Sequence, residues 1–265
     1  MIGLSVGKYR IVEEIGRGAM GLVFKAQDEY LGRMVALKIL AEKLADDPDM
    51  LRRFEVEGAS ASALSHPNIC TVFECGNWKG RPYFAMELLT GQPLDTLMKA
   101  GPLAEPQLIE IGIGVARGLE AAHAIGVVHR DIKPANLFLT EAGQVKILDF
   151  GLAKQKLASV KLGDDAATMA MVGTRPGMLV GTLAYMSPEQ IRCEPLDGRT
   201  DLYALGVTLF ELATKKLPLG GGELPGAFGR VAGKLMAREL TARYQSATEA
   251  REALQACRGM AARAG

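Results

Sequence analysis

A switch of hydrophobic period at Pro106 constrains this chain more than any other feature. Before it the pattern is that of strands: in "RMVALKIL", Val35, Leu37 and Ile39 share one face while Ala36 and Lys38 share the other. An acidic, Pro-containing turn, "ADDPD", a helical stretch, "MLRRFEVEGASASALS", and a break at "HPN" separate residues 9–40 from two further strand-like runs, "ICTVFECG" and "RPYFAMELL". After Pro106, Ile109, Ile113, Ala116, Leu119 and His123 recur at three- and four-residue spacing, the period of an amphipathic helix. "QVKILDFG" reads as one more short strand, residues 152–188 are weakly periodic, and helices follow to the end. The fold class expected is α+β, with a small β-rich N-terminal lobe and a larger helical C-terminal lobe.

At 265 residues the chain is long enough for one large domain or two lobes with ample core. A formal net charge of +1 argues against a nucleic-acid footprint, so any polyanion must be met by a local site. "MIGLSVGKYR" lacks the features of a secretory signal, and "LYALGVTLFELA", at 202–213, is too short to span a bilayer. The expectation is a cytoplasmic protein without a membrane segment. Cys70, Cys75, Cys193 and Cys257 form no CxxC pair and read as reduced structural thiols. On one strand, Cys70 and Cys75 would face opposite sides.

Polar chemistry concentrates in "VVHRDIKPANLFL", residues 127–139, where a histidine, two basic residues, a carboxylate and an amide interrupt an apolar stretch. A polar loop between core elements would explain the interruption, but not the joint arrival of Asp131, Lys133 and Asn136. Asn136 and Asp149, the latter in "ILDFGLA", are oxygen donors of the kind Mg²⁺ takes, too few to cage it without phosphate oxygens and water. Asp131 is then the natural acceptor for a hydroxyl proton and Lys133 a counter-charge, while His129, following two valines, reads as a core residue. "IGRGAMGLV", residues 15–23, carries G-x-G-x-x-G. The same spacing serves dinucleotide-binding folds, but there the third glycine opens a helix, whereas "LVFKAQD" continues as a strand. Lys38 and Ala36 point into one pocket, and an inward lysine needs an anionic partner. Glu57, on the apolar face of the following helix with Phe54, Ala61 and Leu64, offers one.

Taken together, these stretches resemble the eukaryotic-type (Hanks-type) serine/threonine protein kinases of bacteria. "GRGAMGLV" matches the family's glycine loop, "VALK" its lysine strand, "HRDIKPAN" its catalytic loop, "DFG" its magnesium loop and "MSPEQ" the end of its activation segment. "DLYALG" matches the start of the central helix, and Arg243 in "ARYQSA" the arginine that pairs with Glu189. The matching pieces run from Tyr9 to about Ala256, implying one kinase domain with an N-lobe over 1–88 and a C-lobe over 89–265.

The resemblance implies transfer of the γ-phosphoryl group of ATP to protein Ser/Thr hydroxyls, with Mg²⁺, or Mn²⁺ in its place, as the metal. It assigns catalysis to Asp131, Lys133, Asn136, Lys38 and Glu57, and the metal to Asn136 and Asp149. Nucleotide contacts fall to Ile15, Gly16, Arg17, Gly18, Ala19, Met20, Gly21, Leu22, Val23, Ala36 and Lys38. Met86 is the implied gatekeeper, with Glu87 to Leu89 the hinge that reads adenine. Asp201 would brace the catalytic loop, a role compatible with capping the helix that follows. Arg130, beside the catalytic aspartate, marks members whose activation segment is ordered by phosphorylation; Thr168 and Thr174 are the candidate sites, ahead of Ser159 and Thr182. The implied partners are protein substrates, with a transient dimer serving autophosphorylation.

The chain departs from the family pattern after "LFELATKKLP": Leu219 replaces an aromatic residue, and "GGGELPG" runs almost directly into "AFGRVAGKLMAREL" where a further helix is usual. Pro93 stands where a ribose-contacting polar residue is common. The shortened C-lobe is the one feature favouring the alternative, a pseudokinase used as a nucleotide-binding interaction module.

Overall fold

The computed structural model describes residues 1–18, 21–42, 64–149, 183–218 and 222–264. Strands β1 (Ser5–Val6), β2 (Tyr9–Arg17), β3 (Gly21–Asp28), β4 (Met34–Leu40), β5 (Val72–Trp78) and β6 (Arg81–Glu87) form one antiparallel sheet in the order β1-β2-β3-β4-β6-β5. β4 is interior to that order. Val35, Leu37 and Ile39 on one of its faces are buried against Tyr9, Phe24 and Tyr83. The opposite face, with Ala36 and Lys38, is buried as well, so the alternation read from "RMVALKIL" marks a strand covered on both sides.

A second, three-stranded sheet joins β7 (Gly91–Pro93), β8 (Leu137–Thr140) and β9 (Val145–Ile147). The helices are α1 (Leu94–Leu97), α2 (Glu105–Ala124), α3 (Pro188–Ile191), α4 (Arg199–Thr214), α5 (Gly226–Leu235) and α6 (Ala247–Ala264). α2 and α4 build a separate, larger core, in which Ile109, Ile113 and Leu119 meet Leu202, Leu205 and Leu209. Each such fully buried side chain contributes about 1.5–3 kcal/mol of transfer free energy. The stretch after "GGGELPG" forms α5, which packs closely on α4: a Cβ at Gly206 would stand 2.7 Å from Met236 Cγ.

The path of β9 matters most for the site. A Cβ at Gly114 would lie 2.3 Å from Val145 Cγ1, and one at Gly118 would lie 2.7 Å from Ile147 Cδ1. Two glycines on one face of α2 therefore let β9 lie directly on the helix, which sets the depth at which the chain emerges at Asp149. Residues 68–70 bond along the other side of β9: the amide of Ile147 donates to Asn68 O (2.8 Å) and that of Cys70 to Ile147 O (2.9 Å).

None of the four cysteines forms a disulfide; Cys70 is buried just before β5 and Cys75 is exposed on it, so the two do not share one strand. No helix among the described residues is long and apolar enough to cross a membrane.

Candidate active site

The polar residues of "VVHRDIKPAN" are held by a carboxylate from far along the chain. Asp201, fully buried in the first turn of α4, accepts the backbone N–H of His129 at 2.8 Å and that of Arg130 at 2.7 Å. Its role as a simple helix cap is not what the structure has: the N-cap is Gly198, and the Asp201 side chain is spent on the loop. His123, at the end of α2, adds a contact of 2.8 Å from Nε2 to Asp201 Oδ2. Arg130 adopts φ +67°, a left-handed conformation that costs a non-glycine residue on the order of 1–3 kcal/mol and persists only where the surroundings impose it.

His129 has no exposed surface and serves as a structural link. Its Nδ1 accepts from the amide of Asp131 (3.2 Å), which leaves Nε2 to donate to Leu148 O (2.9 Å). The amide of Leu148 in turn donates to Asn136 O at 2.8 Å. These bonds stitch the loop to the end of β9, so Asp149 emerges beside Asp131 and Asn136.

The charges then interlock. Lys133 Nζ lies 2.8 Å from Asp131 Oδ2, and Asn136 Nδ2 donates to the carbonyl of Asp131 (2.8 Å) and to Oδ2 (2.9 Å). Lys38 reaches across from β4, placing Nζ 2.7 Å from Asp149 Oδ1. Asp149 itself is left-handed, at φ +48°. The described partner of Lys38 is thus Asp149; Glu57, expected to pair with it, lies outside the described residues, as do Ala19, Met20, Ser159, Thr168, Thr174 and Thr182.

Above this cluster, β2 and β3 close a hairpin in which Arg17 pairs with Leu22, Gly16 with Val23, and Gly18 N–H bonds Gly21 O at 2.9 Å. Ile15 is exposed, and Arg17 is held by Glu14 in an ion pair of 2.9 Å. The glycines are not equivalent. Among the described residues, a Cβ on Gly18 would meet nothing within 4 Å, whereas one on Gly21 would stand 2.0 Å from Ile39 O. The third glycine of the motif is required by the neighbouring strand, a reason the loop-and-phosphate reading did not contain. On the adjoining strand, Ala36 pairs with Met86 and Lys38 with Phe84, which sets Met86 beside Ala36 at the edge leading to Leu88 and Leu89.

The family model described as "Protein kinase domain" matches residues 9–256. The chain belongs to the protein kinase family. Among curated proteins, this kinase domain is 37% identical over 278 residues to a probable serine/threonine-protein kinase of Streptomyces coelicolor, covering 95% of this chain and 40% of that one. It is 39% identical over 227 residues to the serine/threonine-protein kinase PknA of Mycobacterium tuberculosis, covering 83% and 50%. Among solved structures it matches the PknI kinase domain of Mycobacterium tuberculosis with a TM-score of 0.75 at 26% identity, covering 96% of this chain and 98% of that one. The fold is therefore the bilobal α+β kinase fold, and the domain is of the bacterial serine/threonine type. It spans half or less of the length of these curated relatives.

Two further ion pairs frame the kinase site. Glu189 of α3, 1% exposed, receives Arg243 at 2.6 and 2.8 Å. Gln190, beside it, donates from Nε2 to Arg130 O (3.0 Å), so α3 also holds the catalytic loop. Lys146 of β9 contacts Glu87 Oε1 at 2.5 Å. Sequence reasoning passed over Gln190 and Lys146. Only the capping box of α3, Ser187 to Gln190, left a local trace of the first. The second had none beyond a lysine flanked by Val145 and Ile147.

Proposed function

We propose that this domain, an N-lobe over 1–88 and a C-lobe over 89–265, transfers the γ-phosphoryl group of ATP to Ser or Thr hydroxyls of protein substrates. The observation that carries the reading is that two side-chain pairs, Lys38 with Asp149 and Asn136 with Asp131, are tied to each other through the Leu148 amide on Asn136 O, so that β4, the end of β9 and the catalytic loop converge. Nothing in this geometry favours a pseudokinase reading: Lys38, Asp131 and Asp149, the groups that phosphoryl transfer draws on, are all present.

The donor set fits a divalent cation. Asn136 makes its bonds to Asp131 from Nδ2, which leaves Oδ1 as a ligand, and the half-exposed Asp149 carboxylate is the second oxygen donor. Among the described residues no three His, Cys, Asp or Glu side chains form a cage, so the remaining positions fall to phosphate oxygens and water. Bound there, Mg²⁺ or Mn²⁺ would neutralise charge developing on the phosphate oxygens.

The chain's own groups divide the remaining work. Lys38 supplies a cation to the phosphates from a site 7% exposed, where an ammonium acts with little screening. The Asp131 carboxylate accepts the proton of the attacking hydroxyl, its Oδ2 held by Asn136 Nδ2 and balanced by Lys133. The backbone of residues 87–89 reads the adenine edge beside Met86, and the hairpin of Gly16, Gly18 and Gly21 covers the phosphates. Arg130 Nε is buried without a hydrogen-bond partner among the described residues, which supports docking of a phosphorylated activation segment, with Thr168 or Thr174 as acceptor.

Incubating the purified chain with Mg²⁺ and radiolabelled ATP, then locating phosphate by mass spectrometry, tests the reading. Label on Ser or Thr is expected, activation-segment threonines included. Label on tyrosine alone, or none on the chain or on a generic protein acceptor, would overturn it.

A further inference from the structure

Three basic side chains among the described residues are buried: Lys38, Arg243 and Lys146. The first faces Asp149 in the cleft and the second locks Glu189. Lys146, 9% exposed, has no part in the chemistry above, and a buried ammonium is costly unless it is paired. Its Nζ meets Glu87 Oε1 at 2.5 Å and approaches Ile69 O at 3.5 Å.

Glu87 begins the adenine-reading segment, yet its carboxylate points away from that task. Oε1 also accepts the amide of Thr71 at 2.8 Å, while the amide of Glu87 donates to Thr71 O at 2.9 Å. Residues 68–71 therefore bond to β9 along one side and to Glu87 at their end. Lys146 spans this strip from β9 and closes it with a charge pair.

The two ends so joined are those a nucleotide must touch together. β9 delivers Asp149 three residues after Lys146, at the phosphate end, and Glu87 delivers the adenine end. ATP has a limited reach between its base and its γ-phosphate, so the spacing between the two protein segments bears on whether both are engaged in one productive geometry. We propose that Lys146 is a positioning residue for nucleotide binding, holding the adenine-reading segment at a set distance from Asp149 through Glu87. This rests on the reading of residues 87–89 as the adenine contact.

The test compares Lys146→Met, Lys146→Arg and the parent chain by KM for ATP, kcat at saturating ATP and calorimetric affinity for Mg·ADP. Lys146→Met removes the charge and keeps the stem; it should raise KM and the Mg·ADP Kd about tenfold or more, with kcat changed less than about threefold. Lys146→Arg should recover most of that affinity. A general loss of folded protein would lower the apparent kcat without raising KM, so the split separates positioning from stability. If Lys146→Met does not fold, Glu87→Gln carries the same test, because the amide can keep the Thr71 hydrogen bond while removing the charge facing Lys146. Unchanged KM and Kd in a folded Lys146→Met or Glu87→Gln protein, or loss confined to kcat, would overturn the proposal while the parent's activity stands. A parent that binds no Mg·ADP would remove the adenine reading and this proposal together.

Discussion

Arg243 donates to both carboxylate oxygens of Glu189, at 2.6 and 2.8 Å, joining residues 54 positions apart inside a site with almost no solvent contact. The remaining guanidinium donors are used as well, on the carbonyls of Ala237 (2.6 Å), Arg199 (3.1 Å) and Arg238 (3.1 Å). Thr200 Oγ1 adds a bond to Glu189 Oε1 at 2.9 Å. One planar fork thus ties α3, the start of α4 and the approach to α6 together. Arg243→Met should cost about 3–5 kcal/mol of stability, because it strands a buried carboxylate. Arg243→Lys should recover little of that, since an ammonium cannot reproduce the bidentate geometry. Urea unfolding of the three proteins measures both; equal midpoints for Lys and Arg would contradict the geometric argument.

The same pair sets an acid limit. Burial by itself would push the Glu189 carboxyl up, but the hydrogen bonds from Arg243, its own backbone and Ser187 outweigh it and hold the pKa near about 2, below the ordinary 4.5. A carboxyl depressed on folding contributes stability that is fully present above its unfolded pKa and lost as the folded pKa is approached from above. Stability should therefore decline as pH falls from about 4.5 toward about 2. Glu189→Gln, less stable at neutral pH, should show a shallower decline across that window. Parallel curves for the two proteins would exclude Glu189 as the titrating group.

Asp131 and Lys38 should separate chemistry from binding. Asp131→Asn keeps a similar shape beside Lys133 and Asn136 but removes the proton acceptor, so turnover should fall about 10²–10⁴-fold. Affinity for Mg·ADP should stay within a few-fold of the parent. Lys38→Met should abolish phosphoryl transfer and weaken nucleotide binding while the protein stays folded. Initial rates with labelled ATP, calorimetry and thermal melting give the three readouts. Retained turnover in Asp131→Asn would move the proton acceptor elsewhere.

Gly18 and Gly21 should respond differently to the same added methyl group. At Gly21 the Cβ would collide with Ile39 O on β4, one residue from Lys38, and backbone cannot step aside as a flexible side chain can. Gly21→Ala should lower the melting temperature and disturb the placement of Lys38. Gly18→Ala, whose Cβ would meet none of the described residues within 4 Å, should leave melting unchanged. Equal melting temperatures for both variants would refute the close approach of β3 and β4.

Much of the architecture is written in local pattern. The alternation at Val35, Leu37 and Ile39 and the helical spacing from Ile109 to His123 suffice to announce a β-rich segment followed by a helical one, because each side chain's facing depends only on its neighbours in sequence. The motifs around Lys38, Asp131, Asn136 and Asp149 name the chemistry for the same reason: they are short and contiguous. What holds those residues in register leaves no trace in local pattern: the bracing role of Asp201 comes only through the family resemblance, and that of Lys146 is not read at all. Asp201 binds the amide of His129 across 72 positions, and Lys146 finds Glu87 across 59. Gly21 is forced by a carbonyl on another strand, and Gly114 and Gly118 by side chains of β9. Such partners leave no periodic trace, since a buried charge or a missing Cβ acquires its reason only when distant segments pack. The residue types and their local facing were thus determined by the chain itself, whereas the spacing between adenine and phosphate ends, the bracing of the catalytic loop and the need for particular glycines were decided by tertiary contact.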